Sequence, residues 1–314
     1  MRAIAVRKFR DAPEIMDLPR PIPAAGEILV HVGAASINPF DWKIVDGILD
    51  GSMPHVFPLV LGVDGAGVVE AIGPGVTRFR VGDGVYGQFL HAPVGTGTFC
   101  EYTTVPETIG IAPIPRGIYT AQAASVPTAG MTARQALDEL GLAKNQTLLI
   151  LGAAGGVGSF ATQLAAMAGI HVIVGSRGAN RDYLRKLGAM EFFDTSTGHL
   201  LEELKFAHPG GVDGILDVMN RGPAFDANLS ALREGGIVAS TVHTPDPAVL
   251  AARKLRGLYI AMHPTPALLE RLGKELAAGR LRTPIELQVP FADSLAAFEN
   301  LRTGQGRGKA VFLI

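Results

Sequence analysis

One stretch of the chain, from Asn145 to Ser176, contains no Asp, Glu, Lys or Arg. Its length and hydropathy would allow a membrane span. However, several glycines stand near its start, and two polar side chains, Gln163 and His171, lie inside it. Its periods fit a strand, a glycine turn, a helix and a second strand, which is typical of segments buried in a parallel sheet. We therefore interpret the stretch as the core of a folded α/β domain.

Strand and helix patterns continue to alternate after this stretch. The predicted strands are Thr147–Leu151, His171–Gly175, Glu191–Asp194, Gly214–Met219, Ile237–Thr241 and Leu258–Met262. The predicted helices are Met131–Leu140, a segment with Val157, Phe160, Ala161, Leu164 and Ala168 on one face, Arg181–Leu187, His199–Phe206, Ala224–Leu232 and Pro266–Ala278. This alternation predicts an α/β fold with a doubly wound parallel sheet.

The N-terminal part of the chain has a different texture. Val, Ile, Gly and Pro are frequent there, and turn signals at short spacing separate short strands such as Ile28–Gly33 and Ala66–Ile72. Since 314 residues exceed what one core usually organises, two domains are expected. The strand-like segments Glu286–Val289 and Ala310–Ile314 are too few to form a domain alone. We predict a β domain from residues 1–122 and 263–314, and an α/β domain from residues 123–262.

Charge and cysteine content exclude several classes of protein. A formal net charge of −1 provides no field to hold a polyanion, so nucleic acid is not an expected partner. The single cysteine, Cys100, excludes an intramolecular disulfide and fits a reducing compartment. The basic N-terminus has no long apolar stretch and does not resemble a signal peptide. A cytoplasmic protein that does not bind membranes is therefore expected.

A glycine-rich loop follows the strand Thr147–Leu151. It has the A-x-G-x-x-G form of a dinucleotide fingerprint and reads Ala153-Ala154-Gly155-Gly156-Val157-Gly158. Gly155 would let the backbone approach a pyrophosphate, Gly158 would let the helix pack on the strand, and the helix N-terminus would attract the anion. A plain strand-to-helix turn is the alternative. The strand before, the helix after and the second strand favour a cofactor cradle.

The end of the second strand indicates which dinucleotide is bound. NAD-binding versions place Asp or Glu there, where it accepts hydrogen bonds from the ribose 2′-hydroxyl. This chain has Ser176 instead, followed by Arg177 and Arg181. A guanidinium can bind a 2′-phosphate through two hydrogen bonds. We predict NADPH as the cofactor, although such arginines also occur on ordinary surface loops.

Seven sequence blocks resemble the medium-chain dehydrogenase/reductase superfamily, specifically its zinc-free quinone oxidoreductase branch. The blocks are NPFDWK at Asn38–Lys43, LGVDGAGVV at Leu61–Val69, VGDGVYG at Val81–Gly87, FCEY at Phe99–Tyr102, VPTAGMTA at Val126–Ala133, GAAGGVG at Gly152–Gly158 and RGKAV at Arg307–Val311. They occur in the family's order and cover nearly the whole chain. The resemblance implies a GroES-like β domain joined to a Rossmann domain, with the cofactor in the cleft.

The resemblance also argues against zinc. Alcohol dehydrogenases of the superfamily hold a catalytic zinc through a Cys, the His of a G-H-E motif and a further Cys or acid. Here the first position is Asn38, and the G-H-E block reads Gly62-Val63-Asp64. One cysteine cannot form the family's four-cysteine structural zinc lobe, and a zinc site needs several converging ligands. No metal is expected.

Without zinc, a conjugated acceptor is the easier substrate. After hydride transfer to its β-carbon, negative charge on the carbonyl oxygen needs only positioned hydrogen-bond donors. The resemblance places Asn38 and Thr128 beside the nicotinamide as candidate donors, with Lys43 as a third. Further candidate cofactor contacts are Thr241, His243 and Lys309. We therefore expect an NADPH-dependent reductase of quinones or α,β-unsaturated carbonyls.

Two alternatives remain open at this point. The first is an enoyl or enone reductase of a natural-product pathway, and the second is an NADPH-binding protein without turnover. No residue in the sequence is a convincing general acid, which keeps the second alternative open. The apolar segment Gly257–Met262 resembles an edge strand that family members pair across a two-fold axis, so a homodimer is also expected.

Overall fold

The computed structural model describes residues 1–302 and 306–314, which divide into two compact units. The first unit comprises Met1–Met131 and Pro264–Ile314, and the second comprises Thr132–His263. The first boundary lies within a helix, Pro127–Leu140, rather than at the predicted residue 122. The start of this helix belongs to the first unit because Thr128 is hydrogen-bonded to Asp64.

The first unit is built mainly of short strands. Its N-terminal part contains β1 (Arg2–Val6), β2 (Glu14–Asp17), β3 (Glu27–Ser36), α1 (Pro39–Val45), β4 (His55–Val60), β5 (Asp64–Ile72), β6 (Gly84–Gln88), β7 (Val94–Thr96), β8 (Tyr102–Pro106), β9 (Ile111–Pro113), α2 (Thr120–Ala124) and the start of α3 (Pro127–Leu140). Strands β2-β1-β4-β7 form one sheet in that order. The short strands follow from the frequent glycine and proline turns.

The second unit contains the alternating segments. Its elements after α3 are β10 (Thr147–Leu151), α4 (Gly156–Met167), β11 (His171–Ser176), α5 (Arg181–Lys186), β12 (Glu191–Asp194), α6 (Leu200–Ala207), β13 (Val212–Asp217), α7 (Pro223–Asn228), β14 (Leu232–Ser240), α8 (Pro247–Ala252) and β15 (Arg256–Tyr259). All neighbouring strands are parallel, in the order β12-β11-β10-β13-β14-β15. The predicted doubly wound parallel sheet is confirmed.

The C-terminal segments return to the first unit. They comprise α9 (Pro266–Ala277), β16 (Ile285–Pro290), α10 (Ser294–Leu301) and β17 (Lys309–Leu313). Strand β17 pairs antiparallel with β3, within a seven-stranded sheet that runs β16-β17-β3-β5-β6-β9 with β8 also on β3. Phe99 packs edge-on against Phe312 and Phe298, with ring centroids 4.9 and 5.8 Å apart. These buried rings join the C-terminal elements to the N-terminal part of the first unit in one core.

Three predicted strands of the second unit have bounds that are wrong by two or more residues. Strand β13 covers Val212–Asp217 rather than Gly214–Met219, because its pairing begins at Val212 opposite Leu232. Strand β14 begins at Leu232, earlier than the predicted Ile237, because Leu232 pairs with Val212 before a register shift. Strand β15 covers Arg256–Tyr259 rather than Leu258–Met262, because its pairing to β14 begins at Arg256 opposite Ile237. Pairing with the neighbouring strand sets where each strand begins and ends, and the pattern of apolar residues in the sequence does not show this pairing.

Within the described residues, no helix is both long enough and apolar enough to cross a membrane. The charge-free stretch Asn145–Ser176 consists of β10, α4 and β11, as its periodicity predicts.

Candidate active site

The glycine-rich loop connects β10 to α4. Gly152 follows the strand with φ +79°, and Gly155 is the residue before the first turn of the helix. A Cβ on Gly158 would lie 2.3 Å from the Gly152 carbonyl oxygen and 2.5 Å from the Ala153 Cα. Only glycine permits this close approach of helix and strand. The packing assigned to Gly158 from the sequence is therefore present.

The first turn of α4 provides a site for an anion. Gly155 has no side chain to cap the helix, and the first turn contains no acidic residue. The first backbone N–H groups of a helix have no intrahelical acceptor, and the helix dipole is positive at this end. Ala153, Gly156 and Val157 complete the loop that presents these groups. The cradle thus fits the pyrophosphate of a dinucleotide.

The end of β11 carries the polar residues predicted to read the ribose. Ser176 is the last residue of the strand and is largely buried, while Arg177 and Arg181 are exposed. The Ser176 Oγ accepts a hydrogen bond from Asn180 Nδ2 at 2.9 Å. Asn180 was missed in the sequence because it makes this contact from the turn after the strand.

A carboxylate that the sequence analysis did not consider stands on the neighbouring strand. Asp194 ends β12 directly opposite Ser176 in the parallel register. Hydrogen bonds, first from Ser196 and then from the Gly178 backbone, hold the pKa of Asp194 below its usual value, with Arg181 adding to the effect. The Arg181 guanidinium also lies over the Phe192 ring, 4.4 Å from its centroid. Because the Arg181 guanidinium packs on Phe192 of β12, the exposed Arg177 is the better placed of the two to bind a phosphate.

The ends of β13 and β14 lie at the same edge of the sheet as the cradle. In register, Leu151 pairs with Asp217, and Asp217 pairs with Ser240. Thr241 and His243 follow Ser240, whose Oγ accepts from the His243 backbone at 3.1 Å. In open α/β sheets, ligands bind outside the carboxyl ends of the strands where the strand order reverses. The structure thus brings both predicted residues to the cradle edge of the second unit.

A cluster of six polar residues lies in the first unit. It comprises Asn38, Asp41, Asp64, Gln88, Thr128 and Lys309, and we call it the buried polar cluster. Lys309 Nζ donates to Asn38 Oδ1 at 2.6 Å and to the Ile37 carbonyl oxygen at 2.7 Å. Asn38 Nδ2 donates to Asp64 Oδ2 at 2.9 Å. The amide of Asn38 thereby bridges the ammonium and the carboxylate.

Thr128 joins the cluster from the other side. Its Oγ donates to Asp64 Oδ1 at 2.7 Å, and its backbone N–H donates to the same carboxylate at 3.0 and 3.2 Å. Gln88 Nε2 donates to Thr128 Oγ at 2.8 Å. Asp41 accepts from the backbone N–H groups of Asn38 and Val63 at 2.7 and 3.0 Å. Every ionisable member therefore has hydrogen-bond partners.

Burial controls the ionisation of the cluster. It raises the pKa of both carboxyl groups, that of Asp41 to about 7, while the ammonium of Lys309 lowers both. Burial lowers the pKa of the Lys309 ammonium, whereas the negative charges of Asp64 and Asp41 raise it. The three charged forms thus depend on one another, and the group titrates as a unit.

The cluster changes how the predicted donors are understood. Asn38 and Thr128 do lie together, but in this arrangement the Asn38 amide donates to Asp64 and to the Ser36 carbonyl oxygen at 3.3 Å. Sequence reasoning missed Asp41, Asp64 and Gln88 as members. Asp64 lies in the block Leu61–Val69, which carries the family resemblance. An acidic residue in this otherwise apolar block was the signal that could have identified it as a member of the cluster. Lys43 lies half-buried on α1 and is not a member.

The same residues do not fit a zinc ion. At Asn38, the amide oxygen accepts from the buried ammonium of Lys309, which would repel a dication. Val63 has no ligand atom in its side chain, and zinc requires several converging N, S or O ligands. Among the described residues, no group of three or more His, Cys, Asp or Glu side chains is placed to hold a metal.

Comparisons with known proteins agree with both units. The alcohol dehydrogenase GroES-like domain matches residues 24–116, and the zinc-binding dehydrogenase domain matches residues 156–259. The chloroplast envelope quinone oxidoreductase homolog of Arabidopsis thaliana is 30% identical over 316 residues, covering 95% of this chain and 93% of that protein. The chain belongs to the medium-chain dehydrogenase/reductase superfamily. Within it, the protein falls in the quinone oxidoreductase branch, and it is an oxidoreductase of this type.

Two further relatives bear on substrate and cofactor. The 2-methylene-furan-3-one reductase of Solanum lycopersicum is 31% identical over 293 residues, covering 91% of this chain and 71% of that protein. The structure of mycobacterial Rv1454c complexed with NADPH is 26% identical, with a TM-score of 0.86 and full coverage of both chains. This oxidoreductase therefore belongs to a family that uses NAD(P)H, and its GroES-like and Rossmann domains are confirmed.

Proposed function

We propose that this oxidoreductase reduces a quinone or an α,β-unsaturated carbonyl compound with NADPH and without zinc. The observation that carries the proposal is the strand end beside the cradle, where Ser176 and Arg177 replace the carboxylate of NAD-binding enzymes. When bound, NADPH supplies the hydride. A mycobacterial relative of the same fold that is complexed with NADPH supports the assignment.

The chain's own residues have separate tasks in this proposal. The cradle from Ala153 to Gly158 holds the pyrophosphate, and Ser176 and Arg177 bind the 2′-phosphate. Thr241 and His243 lie at the same sheet edge and contact the nicotinamide half of the cofactor. The family resemblance places Asn38 and Thr128 beside the nicotinamide, and Lys309, which donates to Asn38, lies at the same end. There, the hydroxyl of the half-buried Thr128 is the donor for the negative charge that develops on the substrate's carbonyl oxygen, while Asn38 links Lys309 to the Asp64 carboxylate behind it.

A conjugated substrate suits a site of this kind. Quinones and enones spread the incoming charge onto oxygen, so hydrogen-bond donors can replace a metal as the electrophile. Similarity to a quinone oxidoreductase homolog and to a furanone reductase supports this substrate class. An enoyl reductase of a natural-product pathway shares the chemistry and is the second candidate, supported by similarity to the trans-enoyl reductase of Aspergillus terreus.

An assay of NADPH oxidation tests the function directly. We expect turnover with at least one acceptor from a panel of quinones and linear or cyclic enones, and none with simple ketones. Simple ketones are the control because they need stronger polarisation of the carbonyl. NADPH binding without turnover on any acceptor would instead identify a non-catalytic binding protein.

A cytoplasmic location remains a prediction from the single cysteine.

Zinc independence gives a second expected result. The purified protein should contain no stoichiometric zinc and should keep its activity in a chelator. The reason is that the Asn38 amide oxygen accepts a hydrogen bond from Lys309 and the Val63 side chain has no atom that can bind zinc. Elemental analysis of protein expressed in zinc-supplemented medium is the measurement. About one tightly bound zinc per chain would contradict the proposal, since zinc sites bind with apparent free energies of ~10–16 kcal/mol when their ligands are present.

We also propose a homodimer paired through β15. This strand is at the edge of the six-stranded sheet, and Tyr259 on it is exposed. Edge strands present unpaired backbone groups that a second copy can bind. Light scattering at micromolar concentration should give the mass of two chains, and Tyr259→Lys should shift the distribution toward monomer. A wild-type protein that is monomeric throughout this range would rule the dimer out.

A further inference from the structure

The buried polar cluster contains an unequal number of acids and bases. Asp41 and Asp64 bring two carboxyl groups, whereas Lys309 brings one ammonium, and all three side chains are buried. An uncompensated charge in the protein interior is costly, and the usual response is to bind a proton. The charged groups facing Asp64 are Asp41 on α1 and Lys309 on β17. The cluster is therefore built to hold one exchangeable proton.

Hydrogen-bond geometry shows where this proton can reside. Asp41 accepts from two backbone N–H groups, which can only donate. Asp64 also accepts from groups that only donate, Asn38 Nδ2 and the Thr128 backbone N–H. Unlike Asp41, it has in addition a hydroxyl partner that can donate or accept, Thr128 Oγ, which lies 2.7 Å from Oδ1. When Asp64 is ionised, the hydroxyl donates to it. When Asp64 is protonated, the bond reverses, and the hydroxyl hydrogen can turn to another acceptor.

Thr128 also connects the cluster to its surroundings. Its side chain is half-buried, whereas those of Asn38, Asp64, Gln88 and Lys309 are buried. Gln88 donates to the Thr128 oxygen and fixes its position in either state. A proton leaving the cluster through this residue therefore reaches solvent or a bound molecule.

We propose that Asp64 and Thr128 form a proton relay that completes enone reduction, an inference that rests on the proposed function. Bound NADPH would supply a hydride, and with it two electrons, to the substrate, which would become an enolate. The enolate takes the proton of the Thr128 hydroxyl at its α-carbon. Thr128 Oγ takes the proton of Asp64 Oδ1 at the same time, and Asp64 becomes a carboxylate. Water then returns one proton to Asp64, so each turnover consumes one NADPH and one proton.

The pH profile of enone turnover tests the relay. Wild-type kcat should be high at low pH and fall as the pH rises, because ionised Asp64 has no proton to deliver. Thr128→Val should lower enone kcat by roughly a hundredfold, the scale of general acid catalysis, whereas Thr128→Ser should retain it within a few-fold. Asp64→Asn should lower kcat and flatten the profile. Asp46→Asn, which removes one half of an exposed ion pair with Arg302, is the control and should leave the profile unchanged.

Quinones separate failure of the relay from failure of the proposed function. A hydroquinone anion is stable and takes its proton from water after release. Thr128→Val still loses a hydrogen-bond donor to the developing oxyanion, so it should slow quinone reduction, but by much less than it slows enone reduction. Wild-type protein that reduces neither class would overturn the proposed function. A wild type that reduces quinones alone, or a Thr128→Val variant that reduces enones at the wild-type rate, would overturn the relay.

Infrared spectroscopy of the cofactor-free protein gives a readout that does not depend on turnover. The wild type should show the C=O stretch of a protonated carboxyl group at a pH where ordinary aspartates are ionised. Asp64→Asn should lose that band and Asp46→Asn should keep it, with thermal unfolding checking that each variant is folded. A band that persists in folded Asp64→Asn would place the proton elsewhere and overturn the relay.

Discussion

Arg177→Ala is expected to raise the Michaelis constant for NADPH by about ten- to hundredfold and to leave that for NADH nearly unchanged. A charge-assisted hydrogen bond to the 2′-phosphate contributes ~1.5–3 kcal/mol, and ~1.4 kcal/mol is a factor of ten in affinity. Arg177 is exposed directly after Ser176, while Arg181 is held over Phe192. Arg181→Ala is therefore the matched control and should have the smaller effect.

Substitutions at the ends of β11 and β12 test the same cofactor preference. Ser176→Asp should reverse the preference toward NADH, because its carboxylate would repel the phosphate and accept from the ribose hydroxyls. Asp194 stands opposite Ser176 in register, so the two carboxylates would also repel each other. Asp194→Asn alone should strengthen NADPH binding by removing a nearby negative charge.

Steady-state kinetics with each cofactor, supported by binding titrations, measure all four variants. Equal weakening of NADPH and NADH by Arg177→Ala would show that this residue does not read the phosphate. Equal use of both cofactors by the wild type would disprove the proposed preference.

Lys309→Met is expected to produce the largest loss of stability. The substitution keeps the length of the side chain but leaves Asp41 and Asp64 buried without their cation. Lys309 Nζ is connected to Asp64 through the Asn38 amide, and removing the compensating partner of a buried charge costs up to ~3–5 kcal/mol. Urea unfolding at neutral pH, followed by a probe in the first unit, should show this loss. Lys254→Met removes a pair with Glu234 that is exposed on both sides and should have no measurable effect.

The loss in Lys309→Met should depend on pH in a defined direction. Burial raises the pKa of Asp41 from 3.8 to about 7, so its contribution to stability is present below 3.8 and is lost as the pH rises through about 7. Lys309→Met should therefore be nearest to the wild type in mild acid and furthest from it above neutrality. Adding Asp64→Asn should recover part of the loss. A pH-independent effect would mean that the side chain acts through packing alone.

Much of the second unit could be predicted from the sequence. The segments Thr147–Leu151 and Glu191–Asp194 have the predicted bounds. Gly158 occupies the close contact that its spacing indicates. Residues near in sequence determine these features, because hydrophobic period and glycine geometry act within one or two turns. Strand ends such as Leu232 and Tyr259 depend on pairing with a neighbour and could not be located in this way.

The buried polar cluster was decided by the tertiary structure. Lys309 and Asn38 are 271 positions apart. The sequence predicted that the C-terminal strands rejoin the β domain, but not that β17 pairs with β3 and brings these two side chains together. Asp194 likewise comes opposite Ser176 only through strand pairing. The sequence alone determined the family motifs and the cradle, because these are local patterns of residue type. The ionisation of Asp64 and the contacts of Thr128 depend on burial and on distant partners, which only the folded chain provides.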